Sequence, residues 1–440
     1  MMFNPAFIVK ASWWLGLSVI LPAVNANPFP QLKVGRRGIV PSNGFSVATV
    51  HNSRFKADGP KQFLRSARKY GIQMPQQFTE TLSNKGLTGD VIALNQSDDQ
   101  EWLSPVEIGN PPQQLLLDFD TGSSDLWVFS SETKTVGATN GTRQIWHPEL
   151  STTARRLNGS KWTISYGDGS YAMGGAWTDS VTLAGIAVPN ATVESATSVS
   201  RAMVTDKVLG GLVGLAYNLT SQVYPASPTL MDQMLPLLDQ PLFAVDLHWH
   251  TTGLYEFGKI TDTAFSGNLS WIPLNPKAEF WEINFNGFNI GDSIYWLDSV
   301  WPVIVDTGTT LMLLQYDLVD AYYKHVPNSL YSGRMGGYIF PCNQTLPDLH
   351  VSFGNDGYFV SIPGAYINYS SLAAYGDPVR CYGGIQSNEG LPFAIFGDIF
   401  LKSVYTVFDH GNARVGLADK ALNWNEGGVK AKKVRPAKTA

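Results

Sequence analysis

The chain has 440 residues, 44% of them apolar and 15% charged, enough for two or three domains with sizeable cores. Its net charge of −5 hides a sharp division. Residues 27–88 hold ten Lys/Arg against two Asp/Glu, a formal +8, whereas residues 89–424 hold 15 against 33, a formal −18. A basic patch can mark nucleic acid, but beside so acidic a body it argues for a partner within the same chain.

In chain order, residues 1–26 read as a secretory signal. Lys10 precedes a short apolar core, and Val24 and Ala26 stand at the −3 and −1 positions of a cleavage site. The core is short for a membrane span, and no later stretch is long and apolar enough to serve as an anchor. Residues 27–88 form the basic leader. Within it, "GPKQFLRSARKYGI" from Gly59 is amphipathic and predicts a helix. Its charges would hold to the acidic body at neutral pH and loosen as carboxylates protonate, the logic of a precursor's prosegment.

From about residue 90 to 420 the pattern is mostly β. Short runs rich in Val, Ile, Thr and aromatics are cut by Gly, Asn, Asp and Pro, as in "KWTISYGDGSY" and "YFVSIPGAYINY". Helix is expected only in brief pieces, such as "TLMDQMLPLL" and "YDLVDAYYKHV". "KTVGATNGTRQIWHP" reads as a loop. "HWH" places His248 and His250 on one face of a strand, without convincing metal-ligand spacing. No metal or cofactor is expected. Cys342 and Cys381 could form one disulfide in an oxidising compartment. Eight glycosylation sequons occur, at Asn95, Asn140, Asn158, Asn190, Asn218, Asn268, Asn343 and Asn368. The Lys-rich stretch 425–440 reads as a disordered tail.

Two stretches carry the chemistry. "LLLDFDTGSSDLWVFS" runs from Leu115 to Ser130, and "WPVIVDTGTTLMLL" from Trp301 to Leu314. Each drives an apolar strand into Asp-Thr-Gly and a hydroxyl residue, although a buried carboxylate is costly unless paired or hydrogen-bonded. One copy is a common turn. Two copies, 186 residues apart, point to similar halves facing each other about a pseudo-twofold axis. Asp120 and Asp306 can then meet, share one proton and titrate as a pair. The ionised member polarises a water while the protonated member donates to a carbonyl oxygen. Thr121, Gly122, Ser123, Thr307, Gly308 and Thr309 would shape and orient the carboxylates. Asp118 lacks the following Thr-Gly and reads as a hydrogen-bonded strand aspartate.

With "ISYGDGS", "LGGLVGLA" and "GGIQSNEGLPFAIFGDIFLKSVYTVFD", these motifs make the chain resemble the pepsin family of aspartic proteases, specifically the secreted fungal penicillopepsin and aspergillopepsin group. The resemblance covers about residues 45 to 420. It implies a bilobal β fold, with an N-terminal lobe over 89–260 and a C-terminal lobe over 261–424. It implies Asp120 and Asp306 as a catalytic dyad and Tyr166 on a hairpin flap with Gly167, Asp168 and Ser170. Trp127 would support that tyrosine, and Asp168 with Ser170 would accept a basic residue before the scissile bond. It further implies a Cys342–Cys381 disulfide and a Lys69-Tyr70 pair that blocks the dyad in the precursor. The expected protein is a monomer whose partners are peptide substrates and its own leader. An inactive pepsin-like binding or inhibitor protein and a structural cell-wall glycoprotein are the competing readings. The first should have lost an Asp, a Thr-Gly or the flap tyrosine, and none is lost. The second leaves the paired motifs without a role.

Overall fold

Alternating apolar runs too short for helices dictate strands, and strands dominate the computed structural model. It describes residues 44–51, 57–72, 74–84, 102–135, 143–165, 171–183, 185–205, 207–276, 278–291, 293–354 and 358–422. The proposed signal segment, the tail, the end of the leader and residues 166–170 lie outside these.

The described residues form four sheets. The first runs Val50–His51, Trp102–Ile108, Gln113–Asp120, Gly211–Gly214, Leu126–Phe129, Ile186–Val199, Tyr171–Leu183 and Arg155–Arg156, with Trp162–Ser165 paired onto Tyr171–Leu183. The second runs Tyr358–Ile362, Leu349–Phe353, Glu282–Ile290, Ser293–Val305, Ala394–Phe396, Met312–Leu314 and Ile385–Ser387. A pattern repeats between them. Gly211–Gly214 lies parallel to the strand ending at Asp120 and antiparallel to Leu126–Phe129. Ala394–Phe396 lies parallel to the strand ending at Val305 and antiparallel to Met312–Leu314. These are the runs "LGGLVGLA" and "FAIFGDIFL", and both brace an Asp-Thr-Gly turn.

The third sheet draws on the whole chain. Its order is Phe45–Ala48, Leu254–Phe257, Leu242–Asp246, Tyr405–Asp409, Arg414–Asp419 and Ser266–Pro273. The expected lobe boundary at 260/261 therefore falls inside a shared sheet. The leader supplies that sheet's edge, with Phe45 stacked on Phe257 at 5.1 Å. A four-stranded sheet of Leu330–Ser332, Gly337–Pro341, Asp377–Gly383 and Asn368–Leu372 completes the fold.

The leader's helix forms as its sequence predicts, over Gly59–Lys69. Asp58 caps it by accepting from the Lys61 amide at 3.2 Å, and Pro60 sits in the first turn, where no N–H is missed. Arg68 and Lys69 fall in the last turn, favourable for the helix dipole. Phe63, Leu64 and Ala67 are buried, each large apolar side chain contributing about 1.5–3 kcal/mol. Gly59 packs so tightly on the Tyr382 ring that no Cβ fits, and its amide donates to Ser370 Oγ at 2.9 Å. A second helix, Gln76–Asn84, buries Phe78 and Leu82. The other expected helices form as Leu230–Met234, which a 3-10 turn extends, and Tyr316–Tyr323. Among the described residues no helix is long and apolar enough to cross a membrane.

"HWH" departs from expectation. The strand ends at Asp246, where His248 Nε2 meets its Oδ2 at 3.1 Å. His250 has φ near 55°, so the chain has already turned and the two histidines share no strand face.

Candidate active site

The two Asp-Thr-Gly turns meet back to back. The Thr121 amide donates to Thr307 Oγ1 at 3.0 Å, and the Thr307 amide donates to Thr121 Oγ1 at 2.9 Å. Each hydroxyl then donates onward, Thr121 to Val305 O at 2.9 Å and Thr307 to Phe119 O at 2.5 Å. Each threonine thus ties its own turn to the strand leading into the other. All these atoms are buried, so each bond left unmade would expose a full desolvation cost.

The glycines hold their places by proximity. A Cβ on Gly122 would strike Asp306 Oδ1 and Lys69 Nζ, and one on Gly308 would strike Asp120 Oδ1. The sequence reading assigned Gly to the turn, but here each glycine yields to the opposite carboxylate. The Gly122 amide also donates to Asp120 Oδ1 at 2.8 Å, and the Gly308 amide to Asp306 Oδ1 at 2.9 Å. Ser123 Oγ donates to Asp120 Oδ2 at 2.6 Å, and Thr309 Oγ1 donates to Asp306 Oδ2. The strand pairs close behind: Leu215 N donates to Asp120 O, and Asp398 N to Thr309 O, each at 2.8 Å.

Asp120 and Asp306 are 1% and 0% exposed and lie within hydrogen-bond reach of each other. Lys69 Nζ sits between them, 2.8 Å from Asp120 Oδ1 and 3.0 Å from Asp306 Oδ2. The Tyr70 hydroxyl donates to Asp306 Oδ2 at 2.7 Å, and its ring packs against Phe280 and Phe393. The leader thus fills the site. Burial raises the pKa of Asp120 despite the Lys69 charge, and Asp306 adds to the rise. Burial would also raise Asp306, but Lys69 and the Thr309, Asp120 and Tyr70 hydrogen bonds outweigh it and hold Asp306 at about 2. Lys69 stays charged: burial opposes its ammonium, but the two aspartates overcome it and raise its pKa.

The other predicted residues divide. Trp127 is fully buried and stacks on Trp162 at 6.1 Å. Tyr166, Gly167, Asp168 and Ser170 lie outside the described residues. Cys342 and Cys381 are joined across 39 residues, linking the strands Gly337–Pro341 and Asp377–Gly383. Of the sequons, Asn158, Asn190, Asn218, Asn268 and Asn343 are exposed. Asn368 is half-buried, its amide donating to Cys342 O at 3.2 Å. Asn95 and Asn140 lie outside the described residues.

Sequence reasoning missed four polar residues around the site, Gln62, Arg65, Asp125 and Glu194, and the partner of a fifth, Asp118. Gln62 and Arg65 precede Lys69 by seven and four residues on the leader helix, one face by helical spacing, so the spacing was there to be read. Asp118 carries more than a strand aspartate's role: Arg65 Nη2 lies 3.8 Å from its Oδ2. Asp125 and Glu194 are buried beside each other, brought together by pairing of distant segments that leaves no local signature.

Comparison with known proteins places this geometry. The family model for eukaryotic aspartyl proteases matches residues 101–420. Endothiapepsin of Cryphonectria parasitica is 38% identical over 385 residues, 86% of this chain and 90% of that protein. Aspergillopepsin-1 of Aspergillus fumigatus is 38% identical over 411 residues, 92% of this chain and 97% of that protein. Podosporapepsin of Podospora anserina is 38% identical over 394 residues, 86% of this chain and 91% of that protein.

Proposed function

The chain belongs to the eukaryotic aspartyl protease family, and on that premise we propose that it is a secreted acid endopeptidase made as a self-blocked precursor. It is an aspartic-type peptidase acting on peptides, with Asp120 and Asp306 as the proposed catalytic pair. The observation that carries this reading is the meeting of the two carboxyls under reciprocal threonine bonds, with Lys69 held between them.

Once the leader departs, the pair loses its counter-ion and keeps one proton between two carboxyls. A water in the vacated position loses a proton to the ionised carboxylate as its oxygen attacks the peptide carbonyl carbon. The protonated carboxyl donates to the carbonyl oxygen. The tetrahedral adduct then collapses, a proton passes to the leaving nitrogen, and no covalent enzyme intermediate forms. Ser123 and Thr309 each hold one carboxylate oxygen, Oδ2 of Asp120 and Oδ2 of Asp306, and so fix the orientation of the pair.

The flap around Tyr166, Asp168 and Ser170 is proposed to close over bound peptide. Large apolar residues beside the scissile bond suit a cleft in which Phe280 and Phe393 already receive the Tyr70 ring. Asp168 and Ser170 add acceptance of lysine before that bond. Export with removal of residues 1–26, then loss of a leader ending near 88, completes the proposal, with extracellular release favoured over a vacuolar destination.

The test is hydrolysis of a fluorogenic peptide at about pH 3–5, with and without a pepstatin-type inhibitor. Acid treatment of the precursor followed by N-terminal sequencing should yield a start near residues 85–95. A full-length precursor that is stable and fully active would overturn the self-blocked reading.

A further inference from the structure

Helix and strand geometry match across the leader interface. Side chains four apart on a helix sit about 6 Å apart along its axis. Alternate residues on a strand share a face and lie about 6.7 Å apart. Arg65 and Lys69 have the first spacing, and Asp118 and Asp120 have the second. The contacts follow that correspondence: Arg65 Nη2 lies 3.8 Å from Asp118 Oδ2, and Lys69 Nζ lies 2.8 Å from Asp120 Oδ1. One helix face thus presents two cations to two carboxyls on one strand.

We propose that Asp118 is a second anchor for the leader, gripped by Arg65, and that this contact lets go before Lys69 leaves the paired aspartates. The proposal rests on the self-blocked reading and adds an order of release to it. The two contacts differ in surroundings. Arg65 keeps 31% of its side chain exposed, whereas Lys69 keeps 12% and meets two carboxylates. Asp118 is buried at 7% exposure. It is faced by Arg65 and Lys69 from the leader, by Asp120 on its own strand and by Asp306 across the site, with Asp398 and Tyr255 also near.

Burial pushes the Asp118 carboxyl up to about 7 even against the Arg65 charge. Arg65 pulls the Asp118 carboxyl down from where burial alone would set it, so leader docking is linked to loss of that proton: the attraction is present above about pH 7 and lost as the pH falls through it. Asp306, held at about 2 by Lys69, remains charged far lower. Acidification therefore empties the outer anchor first and the inner one last. A leader loosened at the Arg65 turn can open and reclose while Lys69 still blocks the site.

Hydrogen exchange of the backbone amides between Gly59 and Ile72 reads this in the intact full-length chain without requiring activity. At pH 8, Arg65→Gln and Asp118→Asn should each raise exchange, corrected for its intrinsic pH dependence, about three- to fivefold over the parent. The double variant should add little, and Arg65→Lys should restore part of the protection. At pH 5 the single variants should match the parent, because the contact is already lost. Lys69→Gln should raise exchange at both pH values. Parent-like exchange in Arg65→Gln at pH 8, or an equal rise at both pH values, overturns the second anchor while a Lys69→Gln effect keeps the self-blocked reading. Parent-like exchange in Lys69→Gln as well overturns the self-blocked reading itself. Arg65 lies on the leader, so its variants leave the body intact if Asp118→Asn fails to fold.

Discussion

The two Asp-Thr-Gly turns are near copies in backbone and unlike in surroundings. Both end a strand, both are braced by a parallel neighbour, and each sends its threonine hydroxyl into the other. Two residues before the aspartate, the first copy has Asp118 and the second Ile304. Five residues after it, the first has Asp125 and the second Leu311. At these two positions carboxyl groups flank the first turn and apolar groups the second, whose own buried carboxyl, Asp398, comes from its bracing run. A duplicated backbone supplies the meeting of two carboxyls, and the unduplicated side chains around it decide how those carboxyls hold protons.

The largest test of that division asks whether the two aspartates are equivalent in chemistry despite unequal surroundings. Asp120→Asn and Asp306→Asn should each lower kcat by about 10²–10⁴, because one carboxyl cannot act as both base and acid. Both variants should keep the parent's circular dichroism. Near-normal turnover in either would break the pairing, and a large inequality would show that the surroundings reach into the chemistry.

A second test addresses the shared backbone. Thr121→Val removes the partner of the Thr307 amide and of the Val305 carbonyl, and Thr307→Val removes that of the Thr121 amide, while the Phe119 carbonyl keeps the Tyr255 hydroxyl at 3.3 Å. Each should cost about 1–3 kcal/mol in urea unfolding. The bonds are reciprocal, so the double variant should cost clearly less than the two single losses together. Full additivity would mean that the turns are held independently.

These symmetric features were legible in the sequence, because they depend on which residues follow one another. The repeated Asp-Thr-Gly, the apolar strands before it and the Gly-rich braces all announced themselves locally. So did the leader helix, whereas the Lys69-Tyr70 pair came only with the family resemblance. What stayed hidden depends on pairing between distant strands. Asp118 looked like any strand aspartate until Arg65 arrived on a helix 53 positions earlier. "HWH" was misread because alternation cannot say where a strand stops, and this one stops at Asp246. The lobe boundary resisted reading because the third sheet collects strands from the leader, the middle and the end of the chain.

The carboxyls flanking the first turn give a third prediction. Glu194 lies opposite Trp127 in register and is buried beside Asp125, which accepts from the Gln222 amide at 2.8 Å. Burial, with the adjacent Asp125, raises Glu194 well above its usual value. A raised carboxyl contributes stability that is complete below its unfolded pKa and lost as the pH climbs toward its folded pKa. Glu194→Gln keeps a hydrogen-bonding group and removes the charge. It should move the upper pH limit of the folded state upward by about half a unit or more, leaving acid stability close to the parent's. An unchanged limit would place the alkaline weakness elsewhere.

The smallest expected effect compares the hydroxyl hydrogen bonds. Ser123 donates to Asp120 and Thr309 to Asp306, each to the Oδ2 oxygen. Both bonds favour the ionised form, and both belong to the duplicated motif. With the leader in place the carboxylates they serve differ: burial dominates at Asp120, whereas at Asp306 burial is outweighed by the Lys69 charge and then by the Thr309, Asp120 and Tyr70 hydrogen bonds. A hydrogen bond to a charged group contributes about 1.5–3 kcal/mol at most, and water entering the leader-free cleft recovers part of it. Ser123→Ala and Thr309→Val should therefore shift the acid limb of kcat/KM upward by about half to one pH unit, at roughly 1.4 kcal/mol per unit. The larger shift should follow Thr309→Val. Its bond acts on Asp306, the carboxyl that ionises first beside Lys69; with that order carried over to the leader-free enzyme, the Ser123 bond would act on the carboxyl that holds the shared proton. If Ser123→Ala moves the acid limb as far as Thr309→Val does, the two turns are alike in electrostatics as well as in backbone. The asymmetry would then belong to the leader-bound precursor alone.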